Sequence, residues 1–218
     1  MGVNESACID EDYFDGSAGG NPAVLPNGWF RDMWARDLPV MKEMGANTVR
    51  IYHTSPWTKA YTEANVGTNG VVYPYGKSHR EFLDMAQSNG LKVIYPLPGE
   101  YSWLMNFSEE QMQQLIMNVI DEVGNHSAIL MFALGNELPL DDNLIAILNK
   151  YIAYSKSYLQ QKWGRVVPIT HAVVDLPPSY DHLAATLNVD VFSSNAGYRG
   201  LGFQDLVKIF FLIFSNFF

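Results

Sequence analysis

Cysteine is nearly absent: Cys8 stands alone among 218 residues. That excludes an intrachain disulfide and any cysteine-rich zinc site. Charge is also scarce, at 17% of the chain against roughly 25% in an average soluble protein. Basic charge is the scarcer sign: 14 Lys plus Arg face 23 Asp plus Glu, for a net charge of −9. Such a chain repels phosphate backbones, and no nucleic-acid partner is expected. Gly-x-Gly-x-x-Gly and Walker-type phosphate loops are missing, as is the Gly-x-Ser-x-Gly elbow of serine hydrolases. No His-x-x-x-His spacing occurs, so neither a metal nor a cofactor is expected. Met1-Gly2-Val3-Asn4-Glu5 has no basic start and no apolar run, so no signal peptide is expected in this chain.

What is present is apolar and aromatic. Hydrophobic residues make up 48% of the chain, including 12 Tyr, 12 Phe and 5 Trp, which is enough for a sizeable core. Apolar periodicity predicts helices over Asp32–Gly45 (its main part starting near Asp37 because of Pro39), Ser78–Asn89, Ser108–Val123, Asn143–Trp163 and Tyr180–Leu187. Ser108 and Gln111 have the spacing of a capping box. Between the helices lie β-branched or fully apolar runs: Asn47–His53, Leu91–Leu97, Ala128–Leu134, Val166–His171 and Val189–Ser194. Residues 54–77, rich in Gly, Pro, Thr and Asn, are predicted as loop. Strands alternating with helices imply an α/β fold with a buried parallel sheet.

The tail differs from the rest. Residues 203–218 hold six of the twelve phenylalanines, and LVKIFFLIFSNFF from Leu206 has no helical period and one charge, Lys208. Thirteen residues fall short of the about 20 needed for a membrane helix. The tail is expected to lie outside the folded domain, with membrane contact as the lesser alternative.

Polar and aromatic residues cluster where strands end: His53, Glu100, Asn136–Glu137, His171 and Asn195–Tyr198. In a barrel all these ends share one face. The sharpest signal is AILMFALGNE, a buried strand running straight into Asn136 and Glu137. Burial there is expected to raise the pKa of Glu137 and suit it to proton donation, with Asn136 holding a substrate hydroxyl. Arg50 in a buried strand favours a site role over a core one. His53 and His171 are either sugar-hydroxyl contacts or satisfied structural histidines. Trp57 and Trp103 suit sugar stacking, and Asp175 is a substrate contact or a helix cap. Asn4, Asn106 and Asn125 open glycosylation sequons, which are used only after secretion.

NHSAILMFALGNE resembles the fourth-strand signature of the clan A glycoside hydrolases, in particular the family 2 β-glycosidases and the family 72 β-1,3-glucanosyltransferases. ARDLPVMKEMGANTVRIYH is similar to their helix one and strand two, HREFLDMAQSNGLKVIYPL to helix two and strand three, VDVFSSNAGYRG to strand six, and GVNES to the end of strand one. The resemblance covers residues 1–202. It implies an incomplete (β/α)8 TIM barrel of about six of eight units, followed by the aberrant hydrophobic tail. It implies Glu137 as acid/base, Arg50 as support for a nucleophile, and Asn195 and Tyr198 lining the site. It implies a β-glycan or oligosaccharide substrate and an extracellular or cell-surface location for the full-length parent. In that family the nucleophile is a Glu ending strand seven, and no Glu follows Glu137 here. The expectation is therefore a fragment of a retaining hydrolase or transglycosylase, inactive as it stands. The alternatives are a carbohydrate-binding remnant without catalysis and a truncated product without function.

Overall fold

In the computed structural model the described residues are 29–51, 79–173 and 180–194. The predicted loop, His53, Trp57, Asp175, Asn195, Tyr198, the GVNES segment and the tail all lie outside them. The chain order is α1 (Trp29–Glu43), β1 (Thr48–Arg50), α2 (Arg80–Ser88), β2 (Lys92–Leu97), α3 (Tyr101–Asn106), α4 (Glu109–Val123), β3 (Ile129–Asn136), α5 (Asp142–Trp163), β4 (Ile169–Val173), α6 (Tyr180–Thr186) and β5 (Val191–Ser194). The strands form one parallel sheet in the order β1-β2-β3-β4-β5, curled as a half-barrel with helices packed on it.

The helices form where the sequence supplies caps and a face. At α4, the Ser108 Oγ accepts from the Gln111 N–H at 3.3 Å, and Gln111 Oε1 accepts from the Ser108 N–H at 2.8 Å. This is the predicted capping box, and Glu109 and Glu110 favour the positive end of the helix dipole. Met112, Ile116, Val119, Ile120 and Val123 then bury one stripe against the sheet. At α5, Asp141 accepts from the Leu144 N–H at 2.8 Å, and Gly164 ends the helix in the left-handed region at φ 62°. Its buried Ser155 is satisfied by donating to the Tyr151 carbonyl at 2.7 Å.

Between α2 and α4 a buried pair replaces apolar packing. Glu122 accepts from the His79 backbone N–H at 2.7 Å and lies 3.0 Å from its ring Nδ1. A second clamp uses His126: its Nδ1 accepts from the Ala128 N–H at 3.1 Å, leaving Nε2 to donate to Asp84 at 2.9 Å. The core is one cluster running from Trp34 and Leu38 through Phe82, Tyr95 and Phe132 to Ile169 and Leu183. All five residues of β4 are buried, as expected of a strand covered on both faces.

Three expectations need correction. Helix α1 begins at Trp29 and runs through Pro39; the carbonyl that proline leaves unbonded belongs to exposed Ala35, where water can satisfy it. β4 starts at Ile169 instead of Val166, and Val166 is 90% exposed. A six-residue helix, α3, occupies a stretch that reads as loop.

Candidate functional site at the carboxyl end of the third strand

The site is built around a break in the β3–β4 ladder. Ala133 pairs with Thr170, and the next partners are Asn136 and Ala172. Leu134 and Gly135 thus stand opposite His171 alone, which is a β-bulge. Gly135 takes φ 70°, a conformation suited to glycine. A Cβ on it would sit 2.8 Å from Leu138 Cδ1 and 3.1 Å from the Gly99 carbonyl oxygen. A Cβ on Gly99 would sit 2.4 Å from the Gly135 nitrogen. Two glycines therefore let the ends of β2 and β3 touch backbone to backbone.

Beyond the bulge, Asn136 and Glu137 emerge. The Arg50 guanidinium, reaching from β1, donates from Nη2 to Asn136 Oδ1 at 2.8 Å. That bond fixes the plane of the Asn136 amide. The Glu137 N–H donates to the Ala172 carbonyl at 2.8 Å. Glu137 itself has φ 49°, the only positive φ of a non-glycine residue among those described. Its side chain is exposed. The expected burial of Glu137 is therefore not found: the apolar strand ends one residue earlier, and the left-handed turn lifts the carboxylate out of the sheet.

His171 lies at the centre of this arrangement and is fully buried. Its Nδ1 is 2.7 Å from the Leu134 carbonyl oxygen, so Nδ1 carries the proton and donates. Burial holds its pKa below the ordinary 6.5; the Leu134 bond works the other way, and the Arg50 charge adds to the lowering. On its far side, Ser193 Oγ donates to the His171 carbonyl at 3.0 Å, and Thr170 Oγ1 donates to the Val191 carbonyl at 2.7 Å. These bonds tie β5 to β4.

Of the residues expected at the site, the structure brings together Arg50, Asn136, Glu137 and His171. Glu100 precedes α3 without a side-chain capping bond. Trp103 is half-buried and stacked on Phe107, with ring centroids 5.9 Å apart and planes within 7°. The sequence reading missed the Gly99–Gly135 contact. Its one signal was a glycine on either side of an apolar strand end. Among the described residues no three His, Cys, Asp or Glu side chains group to hold a metal ion. No helix among them is long and apolar enough to cross a membrane.

No protein-family model matches the chain. A 1,3-beta-glucanosyltransferase of Arthroderma benhamiae is 21% identical over 146 residues, 64% of this chain and 23% of that protein. The 1,3-beta-glucanosyltransferase GAS5 of Saccharomyces cerevisiae is 21% identical over 150 residues, 65% of this chain and 27% of its own length. Among solved structures, Saccharomyces cerevisiae Gas2p in complex with laminaripentaose superposes with a TM-score of 0.62 at 22% identity, over 84% of this chain and 42% of that one. The same protein with laminaritriose and laminaritetraose gives 0.61 at 20% identity.

The chain resembles the 1,3-β-glucanosyltransferases of clan A. It spans about a quarter of the length of the curated relatives it matches. The fold likeness fits the curled sheet as part of a TIM barrel.

Proposed function

We propose that this chain carries the acid/base half of a site that processes β-1,3-linked glucan. The observation that carries the reading is the Asn136–Glu137 pair at a barrel strand's carboxyl end, with Asn136 oriented by Arg50 at 2.8 Å. The Glu137 side chain is exposed, which supports its access to a bound sugar. In a retaining reaction Glu137 protonates the departing glycosidic oxygen, then takes the proton from water or an acceptor sugar. Asn136 holds the neighbouring sugar hydroxyl through its amide. Asn195 and Tyr198, outside the described residues, are assigned to the same face by the resemblance, and His53, also outside them, by its position at a strand end. Trp103 on α3 and Phe107 just after it, stacked together, offer an aromatic edge for the glucan.

A retaining site needs a second carboxylate about 5–5.5 Å from the first. No Glu follows Glu137 within these 218 residues, so taken by themselves they are expected to bind glucan without turning it over. Such a substrate places the working protein at the cell surface or outside it.

The test is calorimetric titration of the 218-residue chain with laminaripentaose, paired with product analysis after long incubation. Saturable binding that Asn136→Ala weakens about tenfold, with no cleavage or transfer products, is the expected result. Absence of binding at millimolar sugar would sink the reading; turnover abolished by Glu137→Gln would keep the acid/base role and refute inactivity.

A further inference from the structure

At the bulge, β3 advances three residues, from Ala133 to Asn136, while β4 advances two, from Thr170 to Ala172. A ladder with such a slip leaves a backbone carbonyl without its strand partner. Here that carbonyl is Leu134, and the His171 ring takes it at 2.7 Å. The same ring packs on the turn itself, with Cε1 3.4 Å from where a Cβ on Gly135 would lie. The ladder then resumes one step later, where the Glu137 N–H meets the Ala172 carbonyl at 2.8 Å. Glu137 holds φ 49°, which a non-glycine residue keeps only when its surroundings over-determine it.

The identity of the side chain carries information beyond packing. His171 is wholly buried, and its Nε2 has no hydrogen-bond partner. A leucine would fill similar space without burying an unsatisfied nitrogen. The gain that offsets that nitrogen is the donor on Nδ1, placed where the bulge requires one.

We propose that His171 is a positioning residue: its Nδ1–H substitutes for the ladder bond lost at the β3 bulge and holds the Leu134–Glu137 turn that aims Asn136 and Glu137. His171 then acts through the backbone and touches no sugar, which is nearer the structural histidine than the sugar-hydroxyl contact, the two readings its sequence position offered. Its consequence for glucan binding rests on the function proposed above; its consequence for the turn does not.

The test compares the wild-type chain with His171→Asn, whose amide can donate near the Nδ1 position, and His171→Leu, which cannot donate. Three readouts are taken: the imidazole tautomer by NMR, hydrogen exchange at the Glu137 amide, and laminaripentaose affinity. The wild type should show the Nδ1–H tautomer. His171→Leu should speed Glu137 exchange and weaken binding by about tenfold or more. His171→Asn should return both to within about threefold of wild type, a rescue that filling space alone does not give. If His171→Leu fails to fold, His171→Gln, which carries its amide near the Nε2 position, replaces it as the misplaced-donor variant. An Nε2–H tautomer, unchanged Glu137 exchange in the donor-less variant, or an asparagine no better than leucine each overturns the proposal. If the wild type binds no laminaripentaose, the glucan reading fails, and the tautomer and exchange data still decide the role of His171.

Discussion

Replacing Gly99 by alanine drives a methyl carbon into backbone that has nowhere to go. The new Cβ would lie 2.4 Å from the Gly135 nitrogen, 2.8 Å from its Cα and 3.2 Å from the Leu134 carbonyl carbon. Carbon and nitrogen touch without strain at about 3.5 Å, so the ends of β2 and β3 must part by roughly 1 Å. Relief cannot come from a rotamer change, because all three atoms are main chain. Overpacking of a fixed site costs about 1–3 kcal/mol, occasionally more, and a main-chain collision belongs at the top of that range, about 3 kcal/mol. The opening also pulls Gly135 away from Leu138 and moves Asn136 relative to Arg50. Urea unfolding followed by tryptophan fluorescence measures the loss. Gly164→Ala is the control: φ is 62° there too, but no atom lies within 4 Å of the added Cβ, so only the conformational cost of about 1 kcal/mol applies. If Gly99→Ala matches wild type within about 0.5 kcal/mol, the contact between the two strand ends is not as described.

His171, neutral and buried, makes stability depend on pH. Its folded pKa lies below 6.5, so the unfolded chain binds more protons below that value. The contribution is fully present above pH 6.5 and is lost as pH falls toward the folded pKa, with a slope of up to about 1.4 kcal/mol per unit. The difference in pH profile between wild type and His171→Asn, read by thermal melting, isolates it; parallel profiles would refute it. At α4, Ser108→Ala removes the capping acceptor for Gln111 and should cost about 1 kcal/mol in urea titration. Between α2 and α4, Glu122→Ala removes the carboxylate that the buried His79 ring and N–H meet. It should cost about 3 kcal/mol, and a change under about 1 kcal/mol would show that the pair is not buried as described.

Much of the frame was legible because it is written locally. The Ser108–Gln111 box marks a helix start, and Gly45 a helix end, through the chemistry of single residues. The apolar runs mark strands through burial, and Asn136–Glu137 stood out because polar residues end a fully apolar run. What stayed hidden depends on partners far along the chain. AILMFAL is apolar throughout, so its pattern contains no register, and the slip at Leu134–Gly135 is set by β4. Val166 is β-branched, yet the ladder begins three residues later. α3 escaped because Pro98-Gly99-Glu100 reads as the start of a loop. The exposure of Glu137 follows from a left-handed turn that no propensity of glutamate suggests.

The strictly sequential strand order has a consequence for how the chain forms. Among the described residues, neighbours in the sheet are consecutive in sequence, so each new pairing closes only the stretch of chain that joins two successive strands. No late strand has to thread between two earlier ones. The entropy of closure therefore stays nearly constant from one addition to the next, growing only with the logarithm of loop length. During synthesis each emerging strand finds its partner already exposed, and the sheet grows by accretion at one edge. A nucleus of β2, β3 and α4 can accept further units one at a time, without undoing what has already assembled.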